Sequence, residues 1–380
     1  MKDSLEQPRT HLKKIDAVRA IAILLVFIFH AQSRLFPNYG ITSYDANGII
    51  EATTFRDYVL NFSPIAFGWS GVELFLIISG FLIHYGYLSH EESFTWKNFF
   101  SKRFWRIYPP YMLILVFICF NRKAKFLYSM TGLKQFLTHV FLVHNFTDSM
   151  FFTLNGSFWS LALEAQLYLL YPAFLFFRKR MGVRKAFWGL VVFSILCNVI
   201  GQVLHIGYSF AYSWSIMQFW FIWAGGAYLA ECHFKGEQVF FKGRGFYSIL
   251  FFGLAMGSKY FEVTSSYQVL FVTFGWFAFF EWIINTKWIF EKGIITKVFT
   301  LIGTCSFSIY LIHESFLGGL LKSVDIIPYT VRNFFLINVN LFLRPIVVFI
   351  IIFMISYSLY VFVEKRSIEI GQIRRKKGKF

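Results

Sequence analysis

The sequence predicts an all-α polytopic membrane protein, built as a single bundle of about ten transmembrane helices. Of the 380 residues, 57% are apolar and 15% are charged, whereas a soluble domain carries about 45–50% apolar and about 25% charged residues. Aromatic residues make up 22% of the chain, and the mean hydropathy is +0.55. These values exclude an ordinary soluble enzyme.

The net charge of +17 comes from basic residues that occur in short clusters between apolar runs. Such clusters are typical of the cytoplasmic loops of membrane proteins. We therefore expect membrane lipids, and no nucleic acid, among the partners of the chain. Examples are Lys13–Lys14, Arg178–Lys179–Arg180 and Arg374–Arg375–Lys376–Lys377.

The cysteine pattern predicts neither a disulfide framework nor a metal site. All the cysteines lie in or beside apolar runs, and no two of them form a CxxC pair. The first apolar segment follows a basic stretch but lacks a small-residue cleavage site, so no cleavable signal peptide is expected. The cysteines are Cys119, Cys197, Cys232 and Cys305.

Ten stretches are candidates for crossing a bilayer, which takes about 20 mostly apolar residues in a helix. They define a core over about 16–363, followed by a basic tail over 364–380. No loop is long enough for a second soluble domain, so residues 1–380 are predicted to form one domain. The stretches lie near 16–34, 65–88, 107–120, 157–177, 186–206, 212–230, 246–261, 266–284, 297–320 and 340–363.

The number of spans decides the predicted topology. Ten spans place the basic segments, including both termini, on the cytoplasmic side of the inner (plasma) membrane. The short apolar stretch 135–146 would break this pattern as an eleventh span, so 121–156 is predicted to be an external or interfacial excursion. This topology puts Arg122, Lys123 and Lys125 outside. The alternative is a different pairing of segments around 107–150.

The first span contains the most informative polar residues. Its uninterrupted apolar run, Ala20 to Phe29, has only ten residues, so a spanning helix must also carry Arg19 and His30. Eleven positions apart, these two return to within about 20° on one helical face and lie about 16 Å apart along the axis. This suits a ligand whose anionic part binds Arg19 while its reactive part reaches His30. In the alternative, Arg19 reaches the lipid headgroups and His30 makes a structural hydrogen bond.

A second cationic pair occurs in the segment SKRFWRIYPPY. Arg103 and Arg106 are three positions apart and so face the same way on a helix, and paired guanidinium groups suit phosphate recognition. Ordinary positive-inside charge is the alternative. Pro109 and Pro110 are predicted to fix the start of the next span.

Glu164 lies within an apolar helix in NGSFWSLALEAQLYLLYP, with Ser160 and Tyr168 one turn away on either side. Such a carboxylate needs a partner, expected to be an Arg or His of another span. It could act as a general base, orient an imidazole or form a structural ion pair. For Glu73 and for His313, structural roles are favoured.

Together these segments resemble the acyltransferase-3 family of integral-membrane acyltransferases over nearly the whole chain. The resemblance rests on five segments in the same order: IDAVRAIAILLVFIFH, GVELFLIISGFLI, the Arg103-x-x-Arg106-Ile-x-Pro109 element, SFWSLALEAQLYLLYP with Glu164, and SFSIYLIH. One element departs from the family. Many members have a Glu-x-Pro sequence after the last span, but here Glu364 is followed by Arg366 in place of the proline.

The resemblance implies about ten spans and the transfer of an acyl group, most often acetyl from acetyl-CoA, to a hydroxyl of an envelope carbohydrate such as O-antigen or exopolysaccharide. It also implies that Arg19 and His30 are essential and that Arg103 and Arg106 assist. Acyl-CoA is then a substrate, and no permanently bound cofactor or metal is expected. The acceptor could instead be a small secondary metabolite.

Within this framework Arg19, Arg103 and Arg106 are expected to hold the phosphates of coenzyme A. His30 is expected to act at the reacting centre, with Glu164 as a further catalytic candidate. The imidazole could deprotonate the acceptor hydroxyl or carry the acyl group itself. A transporter or flippase of lipid-linked saccharides, or a glycan polymerase, would also show many spans and intramembrane charges.

Overall fold

The computed structural model of the chain describes residues 3–35, 64–121, 128–237, 240–258, 267–286, 293–324 and 334–377. Within these ranges every regular element is helical and there is no β-strand. The predicted all-α class is therefore confirmed. The predictions about Arg122, Lys123 and Lys125 lie outside the described residues.

Thirteen helices of eleven residues or more occur in the described ranges, joined by shorter helical turns. In chain order they are α1 (Asp3–Leu35), α2 (Gly71–Leu88), α3 (Trp96–Asn121), α4 (Met130–Val140), α5 (Phe158–Met181), α6 (Val183–Val203), α7 (Ile216–Lys235), α8 (Phe246–Ser258), α9 (Gln268–Asn285), α10 (Ile294–Thr304), α11 (Ser306–Ser323), α12 (Phe334–Leu359) and α13 (Lys365–Lys376).

Seven helical segments of the described chain are long and apolar enough to cross a membrane, and the pair α10 and α11 would make an eighth if counted as one span. The chain is thus a multi-pass membrane protein. Neither α7 nor the 13-residue α8 is in this set, so the count of ten and the side of the termini stay predictions. The seven are Lys13–Leu35, Phe67–Leu88, Trp96–Asn121, Phe158–Met181, Val183–Val203, Gln268–Asn285 and Leu343–Lys376.

The predicted span 297–320 is wrong as a single straight helix. The chain forms α10 and α11, bent by 69° at Cys305. Gly303, next to the bend, lies against the backbone of α1: a Cβ atom at this position would be 1.7 Å from the carbonyl oxygen of Asp16. Because the missing side chain lets two backbones touch, α10 packs directly on α1 before the chain turns into α11.

The predicted start of the span near 107 is also wrong. Helix α3 begins at Trp96 and continues through Pro109 and Pro110, so the basic stretch before the prolines belongs to the same helix. Proline has no N–H, and Pro109 therefore leaves the carbonyl of Trp105 without its helical partner. That carbonyl accepts a hydrogen bond from the Ser367 hydroxyl, which satisfies the group that the proline frees.

The chain divides into two compact units. The first comprises Met1–Phe75 with Gln238–Tyr357, and the second comprises Leu76–Glu237 with Ser358–Phe380. The prediction of one domain over 1–380 stays a prediction.

In the first unit, α1 packs on α10, α11 and the turn before α2. Gly71 touches the backbone of α1, where a Cβ atom would lie 2.4 Å from the Ala22 carbonyl oxygen. Two residues later, Glu73 is buried and accepts a hydrogen bond of 3.0 Å from the Thr273 hydroxyl. Its place in the first turn of α2 suits a structural carboxyl group, because the positive end of the helix dipole lies there.

In the second unit, α2 and α7 make a reciprocal close contact. A Cβ atom at Gly80 would lie 2.0 Å from the Trp223 carbonyl oxygen, and one at Gly226 would lie 2.1 Å from that of Ile77. Small residues allow such an approach between membrane helices. Gly71 and Gly80 therefore both lie at close backbone contacts between helices.

Candidate active site

The predicted site residues fall in both units, which are described separately. Arg19 and His30 lie in the first unit, and the cationic pair on α3 lies in the second together with Glu164. Helix α1 is continuous over Asp3–Leu35, so Arg19 and His30 keep the shared face predicted from their spacing. The guanidinium of Arg19 donates a hydrogen bond of 3.0 Å to the Asp16 carboxylate one turn earlier.

His30 lies in a cluster of polar groups formed between α1 and α11. Its Nδ1 atom is 3.2 Å from Oε2 of Glu314. The other oxygen of Glu314 accepts a hydrogen bond from the Arg34 guanidinium. Arg34 follows His30 by one helical turn, so α1 supplies both groups that contact this carboxylate.

His313 forms another side of the same cluster. Its ring centroid is 5.1 Å from that of His30, and its Nδ1 atom donates a hydrogen bond of 2.8 Å to the Tyr310 carbonyl. This bond fixes the proton on Nδ1, and the buried Nε2 atom has no hydrogen-bond partner among the described residues. The side chain is fully buried, so His313 shapes the wall against which His30 packs.

This arrangement resembles the carboxylate–imidazole pair of a catalytic triad, in which the carboxylate orients the base. A carboxylate beside Nδ1 favours the tautomer with the proton on that atom and leaves Nε2 free to accept a proton. The His30 side chain is 26% exposed, which leaves it accessible to a reacting group. Nδ1 of His30 and Oε2 of Glu314 are close but do not form a hydrogen bond in this structure, so the cluster places a carboxylate beside the imidazole of a candidate base.

The same three side chains are the set in the described residues that could ligate a metal ion. One donor atom each from His30, His313 and Glu314 can be chosen so that all lie within 4.8 Å of one another. However, Arg34 already neutralises the carboxylate. We therefore treat the cluster as an acid–base site.

Neither Glu314 nor Arg34 was predicted from the sequence, and a structural role was favoured for His313. A signal was present, because Glu314 is an acidic residue in an apolar helix, where ionisable groups are functional candidates. Its partner could not be identified, since the contact joins residues 280 positions apart. Arg34 was detectable as the residue one turn after His30.

In the second unit, Arg103 of α3 is held between aromatic rings. Its guanidinium carbon lies 5.6 Å from the ring centroids of Phe99 and Tyr168, a cation–π geometry. Its buried Nε atom has no hydrogen-bond partner among the described residues. Arg106, one turn later, is partly exposed. The pair shares a helical face as predicted.

Glu164 of α5 accepts a hydrogen bond from the hydroxyl of Tyr168 on its own helix. The same hydroxyl lies 3.2 Å from the Ser79 hydroxyl. Among the described residues the direct hydrogen-bond partner is thus Tyr168, which follows by one turn. An Arg of another helix, as expected, interacts with the carboxylate only at longer range: it is Arg103 of α3. The catalytic role of Glu164 stays a prediction, and the carboxylate at His30 is Glu314.

Comparison with known proteins identifies one protein family that the chain matches. Residues 12–361 match the model of the acyltransferase domain, Acyl_transf_3. "Regulator of hypoxia-inducible factor 1" of Caenorhabditis elegans is 27% identical over 225 residues, 56% of this chain and 42% of that protein. "Peptidoglycan O-acetyltransferase OatA" of Listeria monocytogenes is 28% identical over 191 residues, 46% of this chain and 26% of that protein.

A protein of Acidianus two-tailed virus, ORF330, named as a candidate acetyltransferase, is 26% identical over 272 residues, 68% of this chain and 78% of that protein. The chain spans less than half the length of the worm and Listeria relatives. No solved structure matches the chain. The family match covers all five segments on which the predicted resemblance rests, and the chain belongs to the acyltransferase-3 family of multi-pass membrane proteins.

Proposed function

We propose that the protein is a membrane O-acyltransferase that moves an acyl group, most simply acetyl, from acyl-CoA to a hydroxyl of an envelope glycan. The observation that carries the proposal is the contact between His30 Nδ1 and Glu314 Oε2 at 3.2 Å in a chain of an acyltransferase family. Glycans are the preferred acceptor class because one relative is named for O-acetylation of peptidoglycan.

In the proposed reaction, Nε2 of His30 takes the proton of the acceptor hydroxyl as its oxygen attacks the thioester carbonyl carbon. The tetrahedral intermediate then breaks its C–S bond, which leaves the acyl group on the acceptor oxygen. The thiolate of coenzyme A takes the proton back from His30. A positioned base of this kind contributes about 10²–10⁴-fold in rate.

An acyl-imidazole route uses the same residue. There Nε2 of His30 attacks the thioester carbonyl carbon and the C–S bond breaks, so that the coenzyme A thiolate leaves. The acceptor hydroxyl oxygen then attacks the acyl carbon, the C–N bond to the imidazole breaks, and the hydroxyl proton passes to the thiolate. Glu314 would serve both routes through the charge of its carboxylate, whose Oε2 atom lies 3.2 Å from Nδ1 of His30. The two routes differ in one testable species, an acyl group on His30 in the absence of acceptor.

The donor is proposed to bind through its phosphates to Arg103 and Arg106. Arg19 stays a separate candidate for contact with an anionic group. Guanidinium groups form two parallel hydrogen bonds with phosphate. The Nε atom of Arg103 has no hydrogen-bond partner among the described residues. This supports the assignment, because an unsatisfied buried donor gains an acceptor when a phosphate binds.

The proposal is tested with purified protein, [¹⁴C]acetyl-CoA and a glycan acceptor. We expect transfer by the wild type and a loss of about 10²-fold or more in kcat for His30→Gln, with His205→Gln unchanged. His205 is the matched control because it is exposed and remote in sequence from the cluster. Equal transfer by wild type and His30→Gln would overturn the assignment of His30, and no transfer by wild type to any glycan would overturn the acceptor class.

A further inference from the structure

The C-terminal helix α13 packs on α3, the helix that carries Arg103 and Arg106. Its Ser367 hydroxyl donates to the carbonyl of Trp105, the group that Pro109 leaves free. One turn later, Gly371 touches the Trp105 side chain, where a Cβ atom would lie 2.6 Å from Cγ of the indole. The guanidinium carbon of Arg374 lies 5.0 Å from the centroid of the same ring.

These three positions of α13 share one face, because residues four and three apart are neighbours on a helix. The helix reaches Trp105 because the chain continues through a π-helical turn at Tyr360–Glu364 without a break. Arg366 is the second residue of α13, where a proline would remove a hydrogen-bond donor from the continuous helix.

Docking brings a further cation to the start of α3. The guanidinium of Arg375 lies 3.5 Å from the Ser101 hydroxyl, and Arg375 and Arg103 both act electrostatically on the Lys102 ammonium group. Arg103 in turn experiences the charge of Arg106. Among the described residues, none of these four cations has a carboxylate within 4.0 Å.

A group of like charges in which no member is in direct contact with a carboxylate is destabilised by mutual repulsion and favours an anion. Its four members offer the several donors that a polyphosphate group requires. We propose that α13 is part of the donor-binding surface, and that Arg375 joins Lys102, Arg103 and Arg106 in binding the phosphates of a CoA-type acyl donor. This inference rests on the proposed function and adds a structural element and a residue to it.

The test is the equilibrium binding of coenzyme A to the full-length protein in nanodiscs of phosphatidylcholine, measured by titration calorimetry. Arg375→Ala should raise the Kd about tenfold, because it removes one charge-assisted contact. Lys377→Ala removes the same charge at the exposed end of α13 and should leave Kd unchanged. Gly371→Leu keeps every charge but displaces α13 from Trp105. It should therefore raise the Kd by the same factor as Arg375→Ala.

The outcomes separate the inference from the proposed function. If Arg103→Ala weakens binding but Arg375→Ala and Gly371→Leu do not, the donor site stands and the role of α13 is overturned. If wild-type protein binds no coenzyme A, both are overturned. If Arg375→Ala leaves coenzyme A binding intact and instead lowers binding of phosphatidylglycerol in mixed nanodiscs, the cations hold a lipid headgroup and the inference is overturned.

Discussion

At the scale of single residues, the contact between His30 and Glu314 shows what a sequence can and cannot specify. The periodicity of α1 was sufficient to predict that Arg19 and His30 share a face. It could not identify the carboxylate beside the imidazole, because Glu314 comes from a helix far along the chain and contacts are not encoded in local spacing. Glu164 was the more conspicuous acidic residue, yet its hydrogen bond goes to Tyr168 of its own helix.

The role of Glu314 gives the first residue-scale prediction. Glu314→Gln keeps the shape of the side chain but removes the negative charge that is proposed to favour a proton on Nδ1 of His30. We expect kcat to fall by about 10²-fold, because His30 acts as a well-oriented base only in one tautomer. The KM for acyl-CoA should change little, since Glu314 is not proposed to touch the donor. Steady-state kinetics of acetyl transfer measure both constants.

A matched control is Glu92→Gln, which makes the same chemical change at an exposed position in a turn. Its kcat should equal that of the wild type. A Glu314→Gln enzyme with unaltered kcat would show that the carboxylate only ties Arg34 to α11, which is a structural role.

Arg103 provides a second residue-scale prediction. In Arg103→Lys the charge remains, but an ammonium group neither stacks flat between Phe99 and Tyr168 nor presents a fork of donors to phosphate. The KM for acyl-CoA should rise by about tenfold with a smaller change in kcat. Kinetics at varied donor concentration would reveal this, and an unchanged KM would place the phosphates elsewhere.

At the scale of elements, the apolar runs predicted most helices, but their ends and bends depend on tertiary contacts. Composition does not show that α3 extends back to Trp96, because the basic residues before Pro109 are equally compatible with a loop. Nor does it show the bend between α10 and α11, since the apolar run is continuous through Cys305. In both places a backbone contact decides the outcome: Ser367 with the Trp105 carbonyl, and Gly303 with Asp16.

The bend gives an element-scale prediction for Gly303→Ala. The added methyl group would meet the Asp16 carbonyl oxygen at 1.7 Å, so α10 must move away from α1. We expect a loss of about 1–3 kcal/mol in stability, typical of overpacking, seen as a lower Tm of the protein in detergent.

Gly189→Ala is expected to change the Tm in the opposite direction. This glycine lies inside α6 with no atom within 4 Å of its missing Cβ. Alanine should raise stability there by about 0.5–1 kcal/mol, since glycine is the poorer helix former. Equal Tm shifts for the two variants would contradict the close packing of α10 on α1.

At the scale of the whole molecule, the distribution of basic clusters predicts which loops face the cytoplasm. Helix α6 has 21 residues, which gives a length of about 30 Å, enough to cross the hydrocarbon core. Its two ends must then lie on opposite sides. The end at Lys185 belongs to the basic cluster after α5, so the positive-inside rule places it in the cytoplasm.

Single cysteines test this orientation, because the native Cys119, Cys197, Cys232 and Cys305 are all buried and should react slowly. A membrane-impermeant maleimide should label Tyr208→Cys in intact cells and Lys185→Cys only after permeabilisation. Both residues are exposed. The reverse pattern would invert the topology and place the basic loops outside.

The central claim is that His30 transfers an acyl group to an envelope glycan, and mass spectrometry of these glycans tests it most directly. A deletion strain would be complemented with wild type, His30→Ala or His205→Ala at matched protein levels. We predict that wild type and His205→Ala restore the mass of one acyl group per repeat and that His30→Ala does not. Identical glycan masses in the deletion strain and all complemented strains would contradict the claim.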